Sequence, residues 1–178
     1  MTERSFNRRQ LLLGASVSAF GALSRPSFAE TSDAPPSPAL TFVYESLVLL
    51  SPDVPHGHTP RGDRFRAPII GGDARGPMIS GRVVPGGADW QLLRTDHWFE
   101  LDAEYYVETH DGAQIRVRNH GLWHSPSGDW PADYAYTTPE FEAPDGPYSW
   151  LNQHVFVGTV GPGPDSRPAV TIRIWRVG

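Results

Sequence analysis

Leu101-Asp-Ala-Glu-Tyr-Tyr-Val-Glu-Thr109, then His110-Asp-Gly112, then Ala113-Gln-Ile-Arg-Val-Arg-Asn-His-Gly121 is the stretch whose pairing decides the fold. Successive side chains of a strand point to opposite faces. In the first run Leu101, Ala103, Tyr105, Val107 and Thr109 share one face, and Asp102, Glu104, Tyr106 and Glu108 the other. In the second run Ala113, Ile115, Val117 and Asn119 oppose Gln114, Arg116, Arg118 and His120. A two-residue Asp-Gly turn would pair Glu108 with Ile115 and mix the faces. A three-residue loop with Gly112 left-handed pairs Thr109 with Ala113. Val107 then meets Ile115, Tyr105 meets Val117 and Glu104 meets Arg118, which gathers the apolar residues on one side. In this register the acidic row Asp102, Glu104, Glu108 faces arginines and becomes a solvated outer face rather than a carboxylate catalyst. Asn119 falls on the apolar side, where a buried amide needs partners, either in the core or on a ligand.

Working outward, Thr41 to Leu50 reads as a strand apolar on both alternations, with Glu45 expected at an edge facing water. Ser51 to Asp73, dense in Pro, Gly, His and Arg, reads as a long loop. Met78 to Val84 and Trp90 to Arg94 read as strands on either side of a Pro85-Gly-Gly87 turn. Leu122 to Asp133 reads as a loop, Tyr134 to Phe141 as a strand, Tyr148 to Val157 as a long strand and Ala169 to Val177 as the closing one. Eight or so strands, short turns and no convincing helix imply an all-β architecture: a single closed antiparallel β-barrel. Closure is favoured because no strand carries the charges of a protected edge.

Composition narrows the chemistry. The chain has 178 residues and no Cys, and all 15 basic residues are Arg. Thiol catalysis, disulfides, Cys-ligated metal and lysine Schiff-base chemistry are therefore excluded. Residues 1–29 place Arg8-Arg9 before Leu11-Leu-Leu13, a weakly apolar run and Ser27-Phe-Ala29. This is the pattern of a twin-arginine-type signal peptide, which implies a periplasmic or secreted protein. Residues 30–39 form a Pro/Ser-rich leader, and the barrel spans 40–178. Without residues 1–29, which hold four Arg and one Glu, 11 basic and 19 acidic residues remain, a net charge of −8. That balance argues against nucleic acid, and against a membrane surface once the signal is removed.

Two segments carry the candidate site. After Pro85-Gly-Gly87 come Asp89, Trp90 and Arg94: an acid, a large aromatic and a guanidinium. Read as a strand, Tyr148 to Val157 puts Trp150, Asn152, His154 and Phe156 on one face, a set of apolar walls and polar posts that suits a barrel interior. The same face would also suit a belt between subunits in a homodimer. The pairs His56/His58 and His120/His124 lack a third ligand and a regular scaffold, so no metal is expected.

Several of these segments together resemble the family called domain of unknown function 3237. They are Arg61-Gly-Asp-Arg64, Pro68-Ile-Ile-Gly-Gly72, Gly76-Pro77, Gly81-Arg-Val-Val-Pro-Gly-Gly-Ala-Asp-Trp-Gln91, Asp111-Gly-Ala113, Tyr148-Ser-Trp-Leu-Asn152 and Phe156-Val-Gly158. The likeness runs from about Leu40 to Val177 and implies a calycin-like closed barrel without supplying an activity. Relatives often carry a basic residue where this chain has Glu104, and a glycine at the position of His97.

The expectation for function is a small, aromatic or polyketide-like ligand held in the barrel. Trp90, Trp150 and Phe156 would serve as walls, with Asn119, Asn152, Asp89 and Arg94 as polar contacts. The alternative in the same pocket is a cofactor-independent lyase, isomerase or hydrolase. There Asp89 would be general acid or base, Arg94 or Asn152 would hold an oxyanion, and His154 would relay protons. A structural dimer module using the Trp150/Phe156 face is the third reading.

Overall fold

A computed structural model describes residues 35–164 and 168–178; the signal-peptide expectation for residues 1–29 lies outside the described residues. Nine antiparallel strands follow one another: β1 (Leu40–Leu50), β2 (Val54–Thr59), β3 (Gly62–Arg75), β4 (Gly81–Arg94), β5 (Phe99–Thr109), β6 (Gln114–His124), β7 (Tyr134–Glu142), β8 (Phe156–Pro162) and β9 (Ala169–Val177). Their order is β1-β9-β8-β7-β6-β5-β4-β3-β2, and an additional β1–β3 pairing closes eight of them into a barrel. β2 hairpins onto the first half of β3, while β1 takes the second half.

The β5–β6 hairpin has the register derived from alternation: Val107 faces Ile115, Tyr105 faces Val117, and Glu104 lies opposite Arg118. Thr109 and Ala113 close the loop, with the Thr109 N–H donating to the Ala113 carbonyl at 2.9 Å. Gly112 takes φ +88°, the left-handed conformation the three-residue loop demands. On the outer face the ion pairs run diagonally. The Arg116 guanidinium donates to Glu104 at 2.9 Å and Arg118 to Asp102 at 3.2 Å, because long guanidinium arms reach past their direct partners. Glu108 pairs with Arg82 at 2.9 Å. His97 stands in the β4–β5 turn at φ +67°.

Four segment readings are corrected. Most of Ser51 to Asp73 is strand: Phe65, Ala67 and Ile69 alternate inward, a pattern hidden by the prolines, glycines and arginines between them. Pro85-Gly-Gly87 does not end a strand. It is a bulge within β4, since Val84 pairs with Tyr106 and Ala88 with Glu104, four steps against two. The two extra residues are an even number, so inward and outward alternation is the same on both sides of the bulge. Glu45 faces water as expected, but on a closed wall, where Arg173 donates to it at 2.6 Å. Tyr148 to Val157 is not a strand: Ser149–Gln153 is a 3-10 turn, and β8 begins at Phe156.

The interior is divided along the barrel axis. At the end where β7 leads into the 3-10 turn, the centre is packed with Tyr44, Ile79, Val107, Ile115, Leu151, Phe156 and Ile174. Phe141 meets Phe156 edge-on at 4.7 Å between ring centres. Ile115 is fully buried, and Ile115→Ala should lower stability by about 2–5 kcal/mol. Ile70, bulged outward and 53% exposed, should tolerate the same change within about 0.5 kcal/mol. Urea unfolding of the two variants checks both values.

Candidate functional site

The other end of the barrel is hollow. Inward residues there include Val48, Leu50, Ile69, Ala103, Val160 and Val170, which are too short to meet across the centre and leave a cavity of about 380 Å³. That volume falls within the range of small-molecule sites, roughly 300–1,000 Å³. Four aromatic side chains stand around it at the barrel end. Phe65 meets Phe99 at 5.8 Å, Phe99 meets Trp123 at 5.1 Å, and Trp123 meets Trp130 at 5.6 Å, each pair near perpendicular. Trp130 comes from the β6–β7 loop, which Ser125 holds by donating its hydroxyl to the Asp129 carbonyl at 2.5 Å.

Asp89 lies on the cavity wall. Two donors fix its carboxylate: the Asp102 N–H at 2.8 Å to Oδ1 and the Gln91 amide at 2.7 Å to Oδ2. Burial pushes its pKa up to about 6; these two hydrogen bonds pull the other way, and the charges of Asp102 and Asp53 add slightly to the rise. Tyr105, also on the wall and buried, is pushed up to about 12 by the same loss of water, so its phenol stays protonated. Asn119 Oδ1, Thr137 Oγ1 and the Trp123 indole N–H are buried without a partner within the described residues, while the Tyr105 hydroxyl lies against that of Tyr44. Asn119, Thr137 and Trp123 all line this one hollow. Buried polar groups are normally satisfied, so three unsatisfied ones around a single space mark it as built for a polar guest.

The structure brings two of the sequence candidates to the cavity, Asp89 and Asn119, and places the others elsewhere. Alternation along β4 sends Asp89 and Gln91 inward and Trp90 and Arg94 outward. Trp90 is 47% exposed on the outer surface, with the Arg66 guanidinium 5.6 Å over its ring. Arg94 pairs with Asp96 at 2.5 Å and lies outside the lining. Trp150 and Phe156 pack into the filled end, 6.0 Å apart, and do not line the cavity. The exposed Asn152 amide ties back to Ala143, accepting its N–H at 2.8 Å and donating to its carbonyl at 2.9 Å. Exposed His154 holds Nδ1 2.7 Å from the Trp150 carbonyl. The wall residues missed from sequence are chiefly Gln91, Tyr105, Trp123 and Thr137. Tyr105 and Trp123 belong to the inward series of the β5–β6 hairpin, so extending that register was the available signal. Among the described residues no three His, Cys, Asp or Glu side chains gather as metal ligands.

A model of the family described as protein of unknown function (DUF3237) matches residues 38–177. A UPF0311 protein of Rhodopseudomonas palustris is 40% identical over 115 residues, covering 58% of this chain and 74% of that protein. The crystal structure of a conserved protein of unknown function from the same species superposes with TM-score 0.74 at 33% identity, over 81% of this chain and 100% of that one. The hydroalkoxylation enzyme phnH of Penicillium herquei is 26% identical over 139 residues, covering 77% of this chain and 85% of that protein.

Proposed function

The chain belongs to the DUF3237 family of proteins of unknown function, and we propose that this member binds a small aromatic, polyketide-like molecule in the hollow end of its barrel and moves a proton within it. The observation that carries this reading is the placement of Asp89: a carboxyl on an apolar wall, fixed by two hydrogen bonds, lining the same hollow as the unpartnered groups of Asn119 and Thr137. With a pKa near 6, Asp89 is populated in both protonation states close to neutrality, as a group that must both take and give a proton requires. The kinship with a hydroalkoxylation enzyme suggests the reaction class. Adding an alcohol O–H across a C=C bond breaks one O–H and one π bond and forms one C–O and one C–H bond. No electrons enter or leave. Asp89 delivers a proton to carbon and recovers one from the hydroxyl, returning to its starting state. The Thr137 hydroxyl donates a hydrogen bond to oxygen where charge develops, and Asn119 orients the substrate.

The test is to incubate the protein in D₂O with a series of phenols bearing a pendant alkene and follow the products by mass spectrometry and NMR. Cyclic ethers carrying one deuterium on carbon are expected. Tight binding of these phenols without turnover would replace the enzyme by a carrier. Export is proposed with the same reading, on the sequence of residues 1–29. Replacing Arg8 and Arg9 together by Lys should leave the protein in the cytoplasm with its leader uncleaved, as fractionation and intact mass would show.

A further inference from the structure

The hollow carries more information than its shape. Besides Asp89, two more carboxylates line it, Asp53 after β1 and Asp129 in the β6–β7 loop. Among the described residues no Arg or His contributes to the lining, and the chain contains no Lys. Asp53 and Asp129 are exposed and stand at the same end as the four aromatic rings, Phe65, Phe99, Trp123 and Trp130. Those rings meet edge to face, at 75°, 88° and 79°. Aromatic faces carry negative potential, which attracts alkylated ammonium groups. Deeper in, Asn119 is only 3% exposed and its Oδ1 has no partner within the described residues, an independent sign that a ligand enters this space.

Resting on the reading of the hollow as a binding site, we propose that its mouth is an organic-cation subsite. The ligand carries an alkylated ammonium group held between the aromatic collar and the carboxylates of Asp53 and Asp129, while its apolar or aromatic body extends inward toward Asn119. Asp129 already accepts the Trp130 N–H at 2.7 Å through Oδ1, which orients the loop and leaves its second oxygen for the ligand. The same charges disfavour carboxylates and phosphates, so the site sorts ligands by sign as well as by shape.

Isothermal titration calorimetry on the full chain tests this with three probes that share a phenol body: (4-hydroxybenzyl)trimethylammonium, its uncharged isostere 4-neopentylphenol, and 4-hydroxyphenylacetate. The ammonium probe should bind about tenfold more tightly than the neutral isostere, and the carboxylate most weakly. Asp53→Asn with Asp129→Asn should erase that advantage while leaving the affinity for 4-neopentylphenol unchanged. The side-chain carbonyl of the substituted position 129 can still accept the Trp130 N–H, so the loop keeps its anchor. Equal or tighter binding of the neutral probe by the unaltered protein overturns the cation subsite alone. An ammonium preference that survives the double substitution also overturns it, by placing the discrimination elsewhere. Failure of all three probes to bind overturns the hollow as a binding site, and the subsite with it.

Discussion

Replacing Asp89 by Asn should give a protein that is more stable at neutral pH and has lost its turnover. In the folded barrel the Asp89 pKa is about 6, raised by burial from 3.8. The folded state therefore holds this proton more tightly than the unfolded chain does. Stability falls as pH rises from about 4 through about 6, and above that the ionised carboxylate costs roughly 3 kcal/mol. Asparagine is neutral throughout. Its carbonyl can accept the Asp102 N–H, and a turned Gln91 amide can accept from its NH₂, so both anchoring contacts have replacements. Melting curves should show Asp89→Asn above the unaltered protein by roughly 5 °C or more at pH 7, with the gap closing by pH 4. Deuterium transfer to an alkenyl phenol should fall by at least about 100-fold. A gap independent of pH would show that the carboxylate is not a buried, strained group. Retained turnover would remove it from the chemistry.

Gly72→Ala should do the opposite and prevent the barrel from closing. Gly72 lies on the β1–β3 seam, opposite Val48, at φ +137°. A Cβ there would stand 1.9 Å from the Leu47 carbonyl oxygen, a backbone atom that cannot turn aside. Relief requires the seam to part, and the seam is what converts the row of strands into a ring. A loss exceeding about 4 kcal/mol is expected, seen as insoluble protein or a fall in Tm of more than roughly 10 °C. Gly86→Ala is the comparison. It has φ +110° but no atom within 4 Å of the added carbon, so only the conformational penalty applies, roughly 1–2 kcal/mol. If the two variants melt together, close approach at the seam is not what Gly72 provides.

The hairpin register could be read because alternation and turn chemistry are local: Thr109, Gly112 and Ala113 sit within five residues of one another. Asn119 was reachable for the same reason, through the parity of its own strand, whereas Asp89 was singled out only by its place after Pro85-Gly-Gly87. Trp90 and Arg94 were misplaced because parity says which residues share a face but not which face turns inward, and that depends on β3 and β5 alongside. The segment around Trp150 alternates by coincidence. What settles it is the Asn152 amide closing onto Ala143, nine residues back, together with the packing of Leu151 under the barrel. β3 went unread because Pro68 and paired glycines mimic a loop, whereas Ile70 is merely pushed out where the strand bends. The hollow itself has no local signature. It is the remainder left when side chains from eight strands are summed across a shared centre.

The partition of the barrel into a filled and an empty end has a consequence for how such proteins diversify. Truncating Ile115 opens a void where none existed, but shortening Val160 or Val170 only enlarges space that is already there, so the thermodynamic penalty is smaller. The same strands that are anchored in the filled end carry these positions, so the backbone supporting them stays put. Guest preference can thus drift through exchanges of wall residues while the scaffold's melting point scarcely responds, which makes one end of the molecule a tolerant field for selection and the other a conservative one.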